Sequence, residues 1–115
     1  MGRYRGLTLR VLGQGSPPAM GPGKAELIER IAETGSISAA ARAMGMSYRR
    51  AWQLVEALNA AYKAPVVVTA VGGKKGGGAR VTPLGRRLVA MYRAMEGKAA
   101  AAIAADLRRF TRSLR

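Results

Sequence analysis

Arg49 and Gln53 stand four residues apart in the stretch SYRRAWQ, Ser47 to Gln53. A guanidinium presents a rigid fork of donors, and a carboxamide presents a donor beside an acceptor. On one face of a helix this pair can bond the edges of a guanine and an adenine. Ser47, Tyr48 and Arg50 flank them with a hydroxyl, a phenol and a second guanidinium. A second cluster lies in GGKKGGGARVTPLGRR, where Lys74, Lys75, Arg80, Arg86 and Arg87 supply five cations and no anion. Glycines let backbone approach a polyanion closely, and bound cations release its counterions. No Gly-Lys-Ser/Thr follows these glycines, and no G-x-G-x-x-G occurs, so a nucleotide-binding loop is not indicated.

Other chemistry is poorly provided for. The chain has no cysteine and no histidine, which removes disulfides, thiolates, the commonest general base and the commonest metal ligand. Glu26, Glu29, Glu33, Glu56, Glu96 and Asp106 are the only acids. Three of them fall on one helix, where a solvated face explains them better than catalysis. The expectation is a protein that is not an enzyme, with no catalytic residues, no metal and no cofactor.

Charge points the same way. Twenty Lys and Arg against six Asp and Glu give a formal net charge of +14, beyond the magnitude of about 2 to 8 that solubility asks of a small domain. The implied partner is a polyanion, and nucleic acid is preferred to a membrane surface. No apolar run approaches the roughly 18 residues that span a bilayer. A cytoplasmic location is expected.

A chain of 115 residues is one compact domain. Residues 7–12, LTLRVL, read as a short strand before a breaker-rich loop. Pro22 at a first helical position opens a helix over 22–34, which Gly35 ends as a left-handed cap. Ser36 or Ser38 caps a second helix over 36–44, halted by Gly45. Ser47 caps a third over 47–62, in which Ala51, Leu54, Val55, Leu58 and Tyr62 share one face. The β-branched 66–71 and the returning 79–82 form a hairpin over 66–82 with a glycine-rich tip. Thr82 and Pro83 then start a long helix over 83–113 with a weak point at Gly97.

These elements place the two clusters. Ala41 and Gly45 are small where two helices must cross closely at a large angle, which is the requirement of a helix-turn-helix. Ile37, Met44, Met46 and Leu54 fill the core around the crossing. If the Ala51 face points inward, a rotation of 100° per residue turns Arg49, Gln53, Glu56 and Ala60 outward. Trp52 is expected at the core or its edge. Arg49 and Gln53 then sit in the first turns of a helix able to enter the major groove, and the hairpin becomes a wing. The fold class is mainly α with a small β-hairpin, a winged helix-turn-helix over 1–96 plus the long C-terminal helix. On that last helix Leu84, Leu88, Met91, Met95, Ala99, Ala102, Leu107, Phe110 and Leu114 mostly step by three or four. The stripe is longer than one small core can cover, so a homodimer through this helix is expected.

The motifs GSISAAARAMGMSYRRAWQLVEALN and GGKKGGGARVTPLGRRL, in this order, resemble the N-terminal DNA-binding domain of the ModE-type, molybdate-responsive bacterial transcription regulators, over residues 7–95. The resemblance implies a winged helix-turn-helix homodimer that acts on transcription at an operator. It assigns Ser47, Tyr48, Arg49, Arg50 and Gln53 to the major groove and residues 72–78 to the wing. Full-length members carry a C-terminal pair of oxyanion-binding domains, and this sequence ends at Arg115 without them. Molybdate is therefore expected only through a domain or chain outside it. The leading reading is a sequence-specific regulator of double-stranded DNA, and the alternative is a nonspecific or architectural nucleic-acid-binding protein.

Overall fold

The computed structural model describes residues 3–14, 18–70 and 78–115. Its elements run α1 (Pro22–Thr34), α2 (Ile37–Ala43), α3 (Tyr48–Ala61), β1 (Val67–Ala70), β2 (Gly78–Val81) and α4 (Pro83–Thr111). The fold is a helix-turn-helix with a hairpin and a long C-terminal helix, mainly α as the periodicities imply.

Local chemistry sets the boundaries. Pro22 occupies the start of α1, where its missing N–H costs no intrahelical bond. Gly35 closes that helix in the left-handed region at φ 69°, its N–H bonded to the Ile31 carbonyl. Ser36 Oγ accepts from the Ala39 N–H, Ser47 Oγ from the Arg50 N–H and Thr82 Oγ1 from the Gly85 N–H, capping α2, α3 and α4. Gly45, at φ 68°, makes the turn between α2 and α3.

The core gathers at the crossings. Leu27, Ile28 and Ile31 of α1, Ile37, Ala40 and Ala41 of α2, and Ala51, Val55 and Leu58 of α3 are all buried. Alanines at the α2–α3 contact keep the helices close. Met44, Met46, Trp52 and Leu54 are half-buried against this cluster.

The hairpin is antiparallel, with Val67 opposite Val81 and Ala70 opposite Gly78. Two polar ties fix its position. The Asn59 side chain donates to the Val67 carbonyl and accepts from the Val66 and Val67 N–H groups, and the Ala79 N–H donates to the Gly35 carbonyl. The hairpin thus leaves α3 at a set angle and lies along the end of α1.

The expected strand over 7–12 does not form. Among the described residues only an isolated bridge between Val11 and Met20 is present. The facing segment has prolines at 18 and 22, which lack the N–H groups that a ladder on either side of Met20 would need. The segment is held instead by side chains: Leu9 and Val11 pack on the core, and the Tyr92 hydroxyl donates to the Leu9 carbonyl.

The last helix also departs from its expected behaviour. It runs unbroken through Gly97, whose bare Cα lets the Tyr4 hydroxyl lie close; an added Cβ would stand 3.2 Å from that oxygen. Its buried residues are Gly85, Val89, Tyr92 and Glu96. Most of the Leu and Met stripe lies elsewhere: Met91, Met95, Phe110 and Leu114 are exposed, while Leu88 packs partly on the core.

Candidate nucleic-acid interface

Burial of Ala51, Val55 and Leu58 fixes the rotation of α3. Ser47, Tyr48, Arg49, Arg50 and Gln53 are consequently all exposed at its N-terminal end. The Ser47 oxygen is engaged as the helix cap, which leaves its hydroxyl proton free to donate outward. Arg49 and Gln53 follow one another by a helical turn on the side opposite Leu58. Trp52 turns back against the core.

Not every predicted cation joins this face. Arg80 is exposed on β2, beside a shallow groove formed with Gly35, Thr69 and Gly78. Arg86 is exposed in the first turns of α4. Lys74 and Lys75 lie outside the described residues.

Arg50 and Gln53 border a groove of about 610 Å³ whose other wall carries Thr8, Arg10 and Lys24. Residue-type reasoning missed Arg10 and Lys24. They lie more than twenty residues before Arg49 in the chain, and neither belongs to a helical or strand period that includes α3. Nothing in the local sequence marks them, since Glu26 stands two residues from Lys24.

Acidic side chains have the opposite fate. Arg93 reaches Glu29 with Nη2 at 2.8 Å and Nε at 3.1 Å, and Glu96 with Nη1 at 2.7 Å. Arg3 adds a contact to Glu29 at 3.1 Å. Hydrogen bonding from Arg93 holds the Glu29 carboxyl below its ordinary value, against burial, which pushes it up. Burial and then the neighbouring Glu96 push the Tyr92 phenol up to about 12. This network joins the N-terminal segment, α1 and α4, and it consumes two of the few carboxylates within the fold. On α3 itself the one acid is Glu56, beyond Gln53, and the first turn with Arg49 and Arg50 carries none.

Among the described residues no helix is long and apolar enough to cross a membrane.

Comparison with known proteins agrees with this geometry. A family model described as "Bacterial regulatory helix-turn-helix protein, lysR family" matches residues 23–86, which takes in α1 to α3, the hairpin and the start of α4. The chain is 50% identical over 95 residues to the molybdenum-pterin-binding protein MopB of Rhodobacter capsulatus, covering 83% of this chain and 34% of that protein. It is 41% identical over 71 residues to the DNA-binding transcriptional dual regulator ModE of Escherichia coli K12, covering 62% of this chain and 27% of that one. Among solved structures, ArgP from Mycobacterium tuberculosis superposes with a TM-score of 0.51 at 26% identity, covering 75% of this chain and 31% of that one. The chain thus spans about a third or less of the length of these relatives. With its helix-turn-helix, hairpin and exposed basic helix in the matched segment, the chain belongs to the bacterial regulatory helix-turn-helix proteins of the lysR family, and the ModE-type regulators are among its relatives.

Proposed function

We propose that the chain is the DNA-contacting part of a cytoplasmic transcription regulator, binding specific double-stranded sites as a homodimer. The N-terminal end of α3 enters the major groove with Ser47, Tyr48, Arg49, Arg50 and Gln53. Lys74, Lys75, Arg80 and Arg86 rest on the phosphate backbone from the wing side. The observation that carries the reading is the outward rotation of Arg49 and Gln53, opposite the buried Ala51, Val55 and Leu58. The names of the Escherichia coli and Rhodobacter relatives support DNA contact and a link to molybdenum respectively. We assign no effector to these residues; response to molybdate would rest with a domain or chain outside the 115.

Selection of bound duplexes from a random pool tests the reading, because it reports preference, half-site symmetry and spacing together. A bidentate Arg–guanine pair contributes about 1–3 kcal/mol of discrimination. Arg49→Ala should therefore cut preference for the selected site over random DNA by roughly 5- to 150-fold. Lys74→Ala should weaken both about equally and lower the salt slope by about one unit. If no sequence is enriched, or if the two variants behave alike on both DNAs, the protein is a nonspecific packaging protein instead.

The dimer rests on α4. Met91 and Met95 are 59% and 42% exposed, and Phe110 and Leu114 are 69% and 62% exposed. Met91 and Met95, one turn apart on a helix of 29 residues, leave water when two such helices pair. Light scattering at micromolar concentration should give twice the chain mass of 12.1 kDa, and M91E/M95E should reduce it to one. A monomeric wild type removes the dimer and the expectation of palindromic sites.

A further inference from the structure

The groove beside α3 has the composition of an anion site. Arg10 comes from the N-terminal segment, Lys24 from the first turn of α1 and Arg50 from the first turn of α3, with Thr8 and Gln53 beside them and an apolar side that includes Met46 and Leu54. No acidic side chain lines it, and among the described residues none of the three cations is ion-paired. Two of the cations repel each other: burial and then repulsion from Arg50 push the Lys24 ammonium below its ordinary value. Lys24 is fixed by donating to the Pro18 carbonyl at 2.5 Å, and the stem of Arg10 lies over Gly21. The positive end of α1 opens on the same space, because its N-cap, Gly21, supplies no side-chain oxygen. Among neighbouring cations held by backbone, a bound anion relieves repulsion as well as adding attraction.

We propose that this groove holds a DNA backbone phosphate beside the base-reading face of α3, with Arg10, Lys24 and Arg50 as its ligands. The inference rests on the reading that α3 enters the duplex. It divides the labour on that helix: Arg49 and Gln53 face the bases, and Arg50 turns to the phosphate that sets their register. Phosphodiester is favoured over a small free anion because the groove is open and continuous with Gln53 of the reading face.

The test measures binding of the full chain to its selected duplex and to random duplex across 50–200 mM salt, for the wild type, R10Q, K24Q and K24R. Each phosphate contact contributes a slope of about 0.9, so losing one should make the fall in affinity across this fourfold salt range shallower by about threefold. R10Q and K24Q should show that change on both DNAs with the preference ratio intact, and K24R should keep the wild-type slope. Arg10 is exposed, so R10Q leaves the fold in place and decides the matter even if K24Q unfolds. Unchanged slopes in R10Q overturn the groove assignment while leaving the α3 reading standing if Arg49→Ala still loses preference. Absence of duplex binding by the wild type instead sinks the reading beneath it. Titration with inorganic phosphate forms the last arm: saturable millimolar or tighter binding lost in R10Q, with DNA slopes unchanged, would make this a small-oxyanion site and overturn the proposal.

Discussion

Arg93→Ala should destabilise the fold by about 3–5 kcal/mol, the loss typical when one member of a buried ion pair is removed. Glu96 is only 2% exposed and takes its ion-pair partner from Arg93. Glu29 would retain only Arg3, whose side chain is 59% exposed. The variant therefore leaves one buried carboxylate without its counterion and weakens the link from α1 to α4. The guanidinium also stands 5.7 Å from the centre of the Tyr92 ring, and that contact goes too. Replacing both charges with apolar groups, as in R93M/E96L, should recover more than half of the loss, because the desolvation penalty goes with them. The pH dependence has a definite sign. The folded Glu29 carboxyl is held below its ordinary value of 4.5, chiefly by the Arg93 hydrogen bond. Its contribution is present above the unfolded value and is lost as pH falls through the folded one. The gap between wild type and Arg93→Ala should narrow in acid below about pH 4.5. Urea unfolding at neutral and acid pH checks both points; a neutral-pH difference under about 1 kcal/mol, the ordinary value for exposed pairs, would mean that the network does not hold the helices together.

Gly85→Ala reverses the usual effect of alanine in a helix. Intrinsic propensity favours the substitution by roughly 1 kcal/mol. At this position, however, the new Cβ would stand 2.6 Å from the Val66 carbonyl oxygen and 2.8 Å from Val81 Cγ1. The carbonyl cannot retreat easily, since it accepts the Thr82 N–H at 3.0 Å and anchors the start of α4 to the hairpin. Overpacking of this kind costs about 1–3 kcal/mol and sometimes more; contact with a backbone oxygen puts Gly85 at the upper end, so net of the propensity gain the melting temperature should fall by about 8 °C, at roughly 4 °C per kcal/mol. Gly23→Ala is the matched control, with no atom within 4 Å of its added Cβ, and it should leave stability unchanged or slightly raised. Thermal unfolding of the two variants tests this pair. A Gly85→Ala protein as stable as the wild type would show that α4 does not sit this close to the hairpin.

The helix-turn-helix was legible in the sequence because its signals are local. Ser36, Ser47 and Thr82 act within three residues of themselves, Gly35 and Gly45 meet a backbone requirement at their own positions, and the Ala51, Val55 and Leu58 period identifies an inward face by rotation alone. The exposed positions of Arg49 and Gln53 follow from the same rotation. Residues 7–12 have the composition of a strand but do not form one, because a strand depends on what lies opposite, and the segment near Met20 is bounded by prolines that cannot donate.

Residue order and type thus determined the helices, their caps and the basic face of α3. Only the tertiary structure decided which side of α4 turns inward. Apolar spacing picked out Leu84, Leu88, Met91 and Met95, yet the body of the protein takes Gly85, Val89, Tyr92 and Glu96. A glycine fits there against a backbone carbonyl, and a carboxylate is accepted because Arg93, three residues before it on α4, pairs with it and joins it to Glu29 of α1. The meeting of Arg10 and Lys24 with Arg50 has the same origin. Caps and periods act within a turn or two of the chain, whereas charge compensation and close approach arise between segments that only folding brings together.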